Sequence, residues 1–167
     1  MHRLYLLRHA KAGWAEPGMR DFDRPLDGRG RAEAEAIGRA MTANGFVPDL
    51  TLCSTAVRAR ETLTGVLLGA DTGRVEFVEG LYSADAAGYL DIIRDGGTAG
   101  AIMVVGHNPM MEDLASALAR DGDADARSRL AHGFPTSALA AIRLDEPLSQ
   151  VRPGRGYLEA FLIPADL

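Results

Sequence analysis

Arg3-Leu4-Tyr5-Leu6-Leu7-Arg8-His9-Ala10 opens the chain with a short apolar run that stops abruptly at an arginine and a histidine. A run without polar alternation is what a strand covered on both faces requires, so Arg3–Arg8 is predicted as a central strand of a sheet. Ala101–Val105 repeats the pattern and ends in Gly106-His107-Asn108-Pro109. Asp49–Cys53 and Arg74–Val78 read as further strands. Between them lie helical segments. Arg29–Thr42 is rich in Ala, Glu and Arg, with Asp27 as N-cap and Asn44-Gly45 as a stop. Ala56–Leu68, Asp85–Arg94 and Met110–Arg120 follow as helices, and Ser137–Leu144 and Tyr157–Ile163 as two last strands. This alternation predicts an α/β fold of three layers, a mostly parallel central sheet with helices on both faces.

The chain has 167 residues, the length of one ordinary domain, and is expected to form a single domain over 1–167. Its 47% apolar and 25% charged composition is that of a globular protein. A net charge of −5, with acidic and basic side chains interspersed, leaves no footprint for nucleic acid or an anionic membrane. The single cysteine, Cys53, excludes an internal disulfide, and no Cys/His spacing resembles a zinc site. The N-terminal run is too short for a signal peptide and no apolar stretch has membrane-spanning length, so a cytoplasmic location is expected.

In such folds ligands collect beyond the carboxyl ends of the strands. Four segments occupy those ends. Arg8-His9 leaves the first strand with no carboxylate nearby to pair the guanidinium, which makes a bound anion its natural partner. Ser54 to Thr62 follows the second strand, with a hydroxyl as N-cap and Arg58 in the first turn of a helix. Arg60 falls roughly 200° around that helix and reads as a solvated charge. Leu81 to Asp85 follows the third strand. Gly106-His107 follows the fourth, with Asn108 as a candidate N-cap and Pro109 at the first helical position. Two arginines and two histidines can therefore converge on one phosphate.

Arg8-His9-Ala10, Ser54-Thr55-Ala56-Val57-Arg58-Ala59-Arg60-Glu61-Thr62 and Gly106-His107, in this order, resemble the signatures of the histidine phosphatase superfamily. Asp23-Arg24-Pro25-Leu26-Asp27-Gly28-Arg29-Gly30 and the short length are similar to its compact branch, typified by the SixA phosphohistidine phosphatases. The resemblance implies a phosphoglycerate mutase-like fold and a two-step reaction without cofactor or metal. His9 would take the phosphoryl group and water would remove it; Arg8, Arg58 and a protonated His107 would hold its oxygens. Asn108 and Arg24 join them as candidate phosphate- or substrate-binding residues. Many relatives place a glutamate where Ser83 stands here, as the acid for the leaving oxygen. Asp85 is the candidate substitute and equally the N-cap of the next helix.

A missing acid favours a leaving group that needs little protonation. An imidazole, with a pKa of about 6.5, is one, so phosphohistidine on a protein is the expected substrate. A small phosphorylated metabolite on the same site is the alternative, and a non-catalytic phosphoprotein-binding module is the reading from another class. The loop Lys11–Arg24, with Trp14 as lid or anchor, follows the nucleophile and is placed to select substrate. His2 and His132 read as surface or structural residues. Asp121 to Asp125 reads as a solvated loop. Cysteine chemistry is excluded by spacing, since Ala59 stands six residues after Cys53, and Asp21-Phe22-Asp23-Arg24-Pro25 lacks the aspartyl phosphatase pattern.

Overall fold

The computed structural model describes residues 1–167. The chain runs β1 (His2–Arg8), α1 (Gly28–Ala43), β2 (Leu50–Ser54), α2 (Val57–Leu67), β3 (Arg74–Val78), α3 (Gly80–Ser83), α4 (Ala86–Arg94), β4 (Ala101–Gly106), α5 (Met110–Leu118), β5 (Ala119–Gly122), α6 (Ala124–Ala131), β6 (Leu139–Leu144) and β7 (Gly156–Leu162). The seven strands form one sheet in the order β3-β2-β4-β1-β6-β7-β5. β1, β2, β3 and β4 are mutually parallel, β6 is antiparallel to both β1 and β7, and β5 is parallel to β7. Only β6 is reversed, so the mostly parallel sheet expected from the sequence is present.

Alternation inside β1 divides the core. Leu4 and Leu6 pack with Leu52, Val104, Tyr89, Ile93, Met111 and Leu114 beneath α4 and α5. Tyr5 and Leu7 pack with Met103, Val105, Ile37, Met41, Leu63 and Val66 beneath α1 and α2. Both faces of the central strands are dry, which is why β1 and β4 read as unbroken apolar runs. No helix is long and apolar enough to cross a membrane.

Some expectations need correction. Asp121–Asp125 is not a solvated loop: it holds the end of β5 and the start of α6, whose N-cap Asp123 accepts from the Ala126 N–H. All three aspartates are solvent-exposed as expected, Asp121 on β5, Asp123 as the cap and Asp125 in the first turn of α6. β6 starts at Leu139 rather than Ser137, because Ser137 adopts a φ of 65°. In that conformation its N–H is shared between the Arg8 and His9 carbonyls, 3.2 Å from each. Ala56, not Ser54, is the N-cap of α2, and Pro109, not Asn108, that of α5. The Ser54 hydroxyl accepts from the Ala56 N–H just before α2, whereas Asn108 Oδ1 still accepts from the Glu112 N–H within the first turn of α5.

Candidate active site

Sheet order builds the site. The adjacent strands β2, β4 and β1 end side by side, with Cys53 opposite Val105 and Arg8 opposite Gly106. The His9 N–H extends the ladder one step to the Gly106 carbonyl at 2.9 Å. Ser54, His107 and His9 are thus delivered in a row, and the two imidazole centroids lie 5.2 Å apart. A chain that crosses from β1 to β2 and β3 and returns to β4 leaves its crevice at this edge.

His9 is buried, and its Nδ1–H donates to the Ala10 carbonyl at 2.7 Å. That bond assigns the tautomer: the proton is on Nδ1, and Nε2 carries a free lone pair. Burial, with help from the charges of Arg58 and Arg8, pushes the pKa of His9 down to about 3 despite the Ala10 carbonyl, so the ring is neutral at neutral pH. The backbone around it is tied to α2, because the Ala10 N–H donates to Thr62 Oγ1, which donates to the Arg58 carbonyl.

The two arginines flank this ring. Arg8 donates from NH1 to the Phe134 carbonyl at 2.9 Å, and its buried Nε has no protein partner. Arg58, only 8% exposed, donates from NH1 to the Asp21 carbonyl and from NH2 to Asp21 Oδ2, at 2.9 and 3.1 Å. His107 Nε2 is 2.8 Å from Ser54 Oγ, while its buried Nδ1 has no partner. Burial and then the charges of Arg58 and Arg8 push the His107 pKa down to about 4, partly opposed by Asp21. At neutral pH this environment favours the neutral ring, and the guanidinium groups supply the positive charge of the site.

Arg8, His9, Lys11, Ala12, Trp14, Arg24, Arg58 and Thr136 line a cavity of about 290 Å³, and none of these side chains is a carboxylate. Arg24 lines it too, held by Gly13 O and Asp21 Oδ1. Trp14, 95% exposed, stands at its rim rather than anchored in the core. Asn108 does not line this cavity. Its Nδ2 donates to the Phe134 carbonyl beside Arg8 and its Oδ1 accepts from the Glu112 N–H. Asp85 is also elsewhere: exposed, with Oδ1 accepting from the Gly88 N–H as the N-cap of α4. A larger cavity lies between α1 and α2, around Arg31, Glu61 and Leu68, and neither histidine lines it. No cluster of three or more His, Cys, Asp or Glu side chains is placed to hold a metal ion. Burial pushes the Cys53 thiol up to about 12, in keeping with an inert core residue.

Asp21 and Tyr82 had no role in the sequence reading, yet the Tyr82 hydroxyl donates to Asp21 Oδ2 at 2.9 Å and its ring meets His107 edge-on at 5.6 Å. Burial raises the Asp21 pKa, but the hydrogen bonds from Arg24 and Tyr82 and the charge of Arg58 outweigh it and bring it down to about 2. The only signal was an aspartate in the loop after the nucleophile, with a partner 37 residues away.

The histidine phosphatase superfamily (branch 1) matches residues 4–87. An uncharacterised protein of Mycobacterium tuberculosis is 37% identical over 161 residues, 95% of this chain and 99% of that one. Among solved structures, a candidate phosphohistidine phosphatase SixA of Agrobacterium tumefaciens is 39% identical, with a TM-score of 0.82 over 98% of this chain and 99% of that one. A second candidate SixA, of Nakamurella multipartitia, is 27% identical with a TM-score of 0.85, covering 98% and 96% of the two chains.

Proposed function

Because the chain belongs to the histidine phosphatase superfamily and shares the phosphoglycerate mutase-like fold, we propose that this phosphatase removes phosphate from phosphohistidine on a protein, by way of phosphorylated His9. The observation that carries the reading is the 2.7 Å bond from His9 Nδ1 to the Ala10 carbonyl, which leaves an unprotonated Nε2 at a cationic cavity with no carboxylate in its lining.

Nε2 of His9 attacks phosphorus in line, the substrate P–N bond breaks, and its electron pair leaves on the substrate imidazole, whose other ring nitrogen already carries a proton from solvent, so that neutral imidazole departs. The new phosphoimidazolium keeps its Nδ1–H on the Ala10 carbonyl, where the developing positive charge is welcome. Arg8 and Arg58 hold the non-bridging oxygens with their remaining N–H groups. His107 Nε2 is engaged by the Ser54 hydroxyl, so Nδ1, the nitrogen without a protein partner, is the one left for the phosphate, as a third donor when it carries the ring proton. Water then attacks phosphorus, the His9 Nε2–P bond breaks, and the neutral ring is restored. The metal-free character of the reaction rests on these donors. Asp21, ionised, has no proton to give an alkoxide, whereas a phosphohistidine protonated on its second ring nitrogen releases neutral imidazole, whose conjugate acid has a pKa of about 6.5, without an acid from the protein.

The test compares hydrolysis of a phosphohistidine-carrying protein with that of sugar, nucleotide and lipid-derived phosphates, together with phosphoenzyme trapping. The expected result is preference for phosphohistidine and an acid-labile, base-stable label on the protein that His9→Ala abolishes. Ready hydrolysis of sugar phosphates with phosphohistidine left untouched would transfer the site to small esters. Binding of the phosphoprotein without turnover would mark a non-catalytic module.

A further inference from the structure

Between the nucleophile and α1, the chain makes a flap that returns on itself. Ala12 pairs with Leu26, the Gly13 N–H donates to the Pro25 carbonyl at 3.0 Å, and Arg24 Nε donates to the Gly13 carbonyl at 3.1 Å. Its short 3-10 turn, Asp21–Asp23, is pressed against the active site by contacts of three kinds. Phe22 meets the Tyr82 ring edge-on, at 5.1 Å between centroids and 85° between planes. The Arg58 guanidinium stands 5.8 Å from the centre of that same ring. Asp21 binds Arg58 twice, Arg24 once at 2.9 Å and Tyr82 once at 2.9 Å.

From this geometry we infer that Asp21 is a positioning residue for the phosphate site: it fixes the guanidinium groups of Arg58 and Arg24, with Tyr82 as its own anchor. The inference rests on the phosphatase reading above and concerns how its arginines are held. The contact occupies the NH1/NH2 end of the Arg58 fork and leaves the Nε side unbonded. A planar guanidinium held at one edge is pre-aligned for bidentate bonding at the other, so the ordering cost falls before phosphate arrives. Without Asp21, the Arg58 fork and the Arg24 side chain must be ordered by the substrate itself.

A carboxylate on a phosphate-binding arginine admits an opposite role, that of a gate the phosphate must displace. Two observations favour positioning. Arg58 is 8% exposed and cannot swing out to exchange partners. Half of its contact with Asp21 is to the main-chain carbonyl, which is fixed in the 3-10 turn and is not a mobile competitor for anions.

The experiment titrates tungstate and inorganic phosphate into the intact protein by calorimetry and follows the Arg58 Nε–H signal by NMR, for wild type, Asp21→Ala, Asp21→Glu and Tyr82→Phe. Loss of charge-assisted bonds predicts about tenfold weaker anion binding for Asp21→Ala and about threefold for Tyr82→Phe, with part of the affinity regained in Asp21→Glu. In turnover, KM should rise more than kcat falls. A thermal midpoint near wild type in Tyr82→Phe separates the effect from misfolding. Unchanged binding in both Asp21→Ala and Tyr82→Phe would overturn the inference, and tighter binding in Asp21→Ala would reveal a gate. If the wild type binds neither anion, the phosphatase reading fails. The Arg58 Nε–H signal still decides positioning: broadened in Asp21→Ala it supports the clasp, unchanged it ends it.

Discussion

Ser54 Oγ and His107 Nε2 are 2.8 Å apart at the tips of neighbouring strands β2 and β4, both side chains buried. This bond selects the nitrogen His107 can turn toward phosphate. Ser54→Ala leaves Nε2 unsatisfied in a dry site, which costs about 1–2 kcal/mol of stability. It also frees the ring to turn, so kcat should fall roughly tenfold by loss of one aligned group at the phosphate. Denaturant unfolding and steady-state kinetics read the two effects separately. A variant as active as the parent would show that His107 is oriented by something other than Ser54.

Both histidines have pKa values depressed by burial, to about 3 for His9 and about 4 for His107. In the unfolded chain each titrates near 6.5, so below that pH the unfolded state binds protons the folded state refuses. Stability is therefore at its plateau above about pH 6.5 and falls as pH drops toward 4. The depressed carboxylates, Asp21 and Asp27, act in the same direction only below the ordinary carboxylate range. The window between about 6.5 and 4 belongs to the imidazoles. Replacing His107 by Gln should flatten the fall, recovering roughly 2 kcal/mol of the loss at about pH 4.5. Thermal midpoints across this range check it, and an equally steep profile in the variant would assign the acid sensitivity elsewhere.

The clustering of Arg8, His9, Arg58 and His107 was legible because each member is local to a strand end. Arg8-His9 and Gly106-His107 terminate the two strands that are apolar on both faces, and Arg58 opens a helix after a third. Residue chemistry and strand punctuation are enough to find such positions. Asp21 and Tyr82 were not legible, since they are 61 residues apart and meet only through docking of an irregular loop onto a four-residue helix. Helix α6 was missed for a different reason. It buries only Ala126 and Leu130, so its apolar stripe is too thin to show against three aspartates. The depressed pKa of His107 was not legible either, because burial is a property of the assembled site, not of the Gly-His dipeptide.

Two glycines should respond in opposite ways. A Cβ on Gly106 would stand 2.8 Å from the Tyr89 hydroxyl and 2.9 Å from Met111 Cε. Tyr89 is fully buried, bonds the Leu81 carbonyl and accepts from the His107 N–H, so it has little room to yield. Gly106→Ala is expected to cost about 1–3 kcal/mol and to displace His107, lowering kcat/KM as well. A Cβ on Gly28, at the first turn of α1, meets nothing within 4 Å. Gly28→Ala should be neutral or stabilising by about 0.5 kcal/mol, through the unfolded chain. Unfolding curves for the pair test this; equal effects would contradict the packing described around Tyr89.

Arg8 tests whether geometry or charge holds the phosphate. Its NH1 is committed to the Phe134 carbonyl, which also accepts from Asn108 Nδ2. The guanidinium is thereby fixed by a carbonyl from the segment between α6 and β6, leaving further N–H groups for phosphate. Lysine keeps the positive charge but has one nitrogen, and cannot bond Phe134 and two phosphate oxygens in a fixed plane. If charge alone mattered, Arg8→Lys would retain nearly full kcat/KM. If the oriented fork matters, kcat/KM should fall about 10²-fold, as for loss of a preorganised donor to a developing oxyanion. Asn108→Ala sharpens the comparison. It removes the other donor to the Phe134 carbonyl, together with the acceptor of the Glu112 N–H, and leaves the residues that line the His9 cavity in place. A drop in kcat/KM of a few fold there, with Arg8→Lys far lower, would identify the Phe134 carbonyl as the support that aims Arg8. Equal losses in both variants would place Asn108 in contact with the substrate itself.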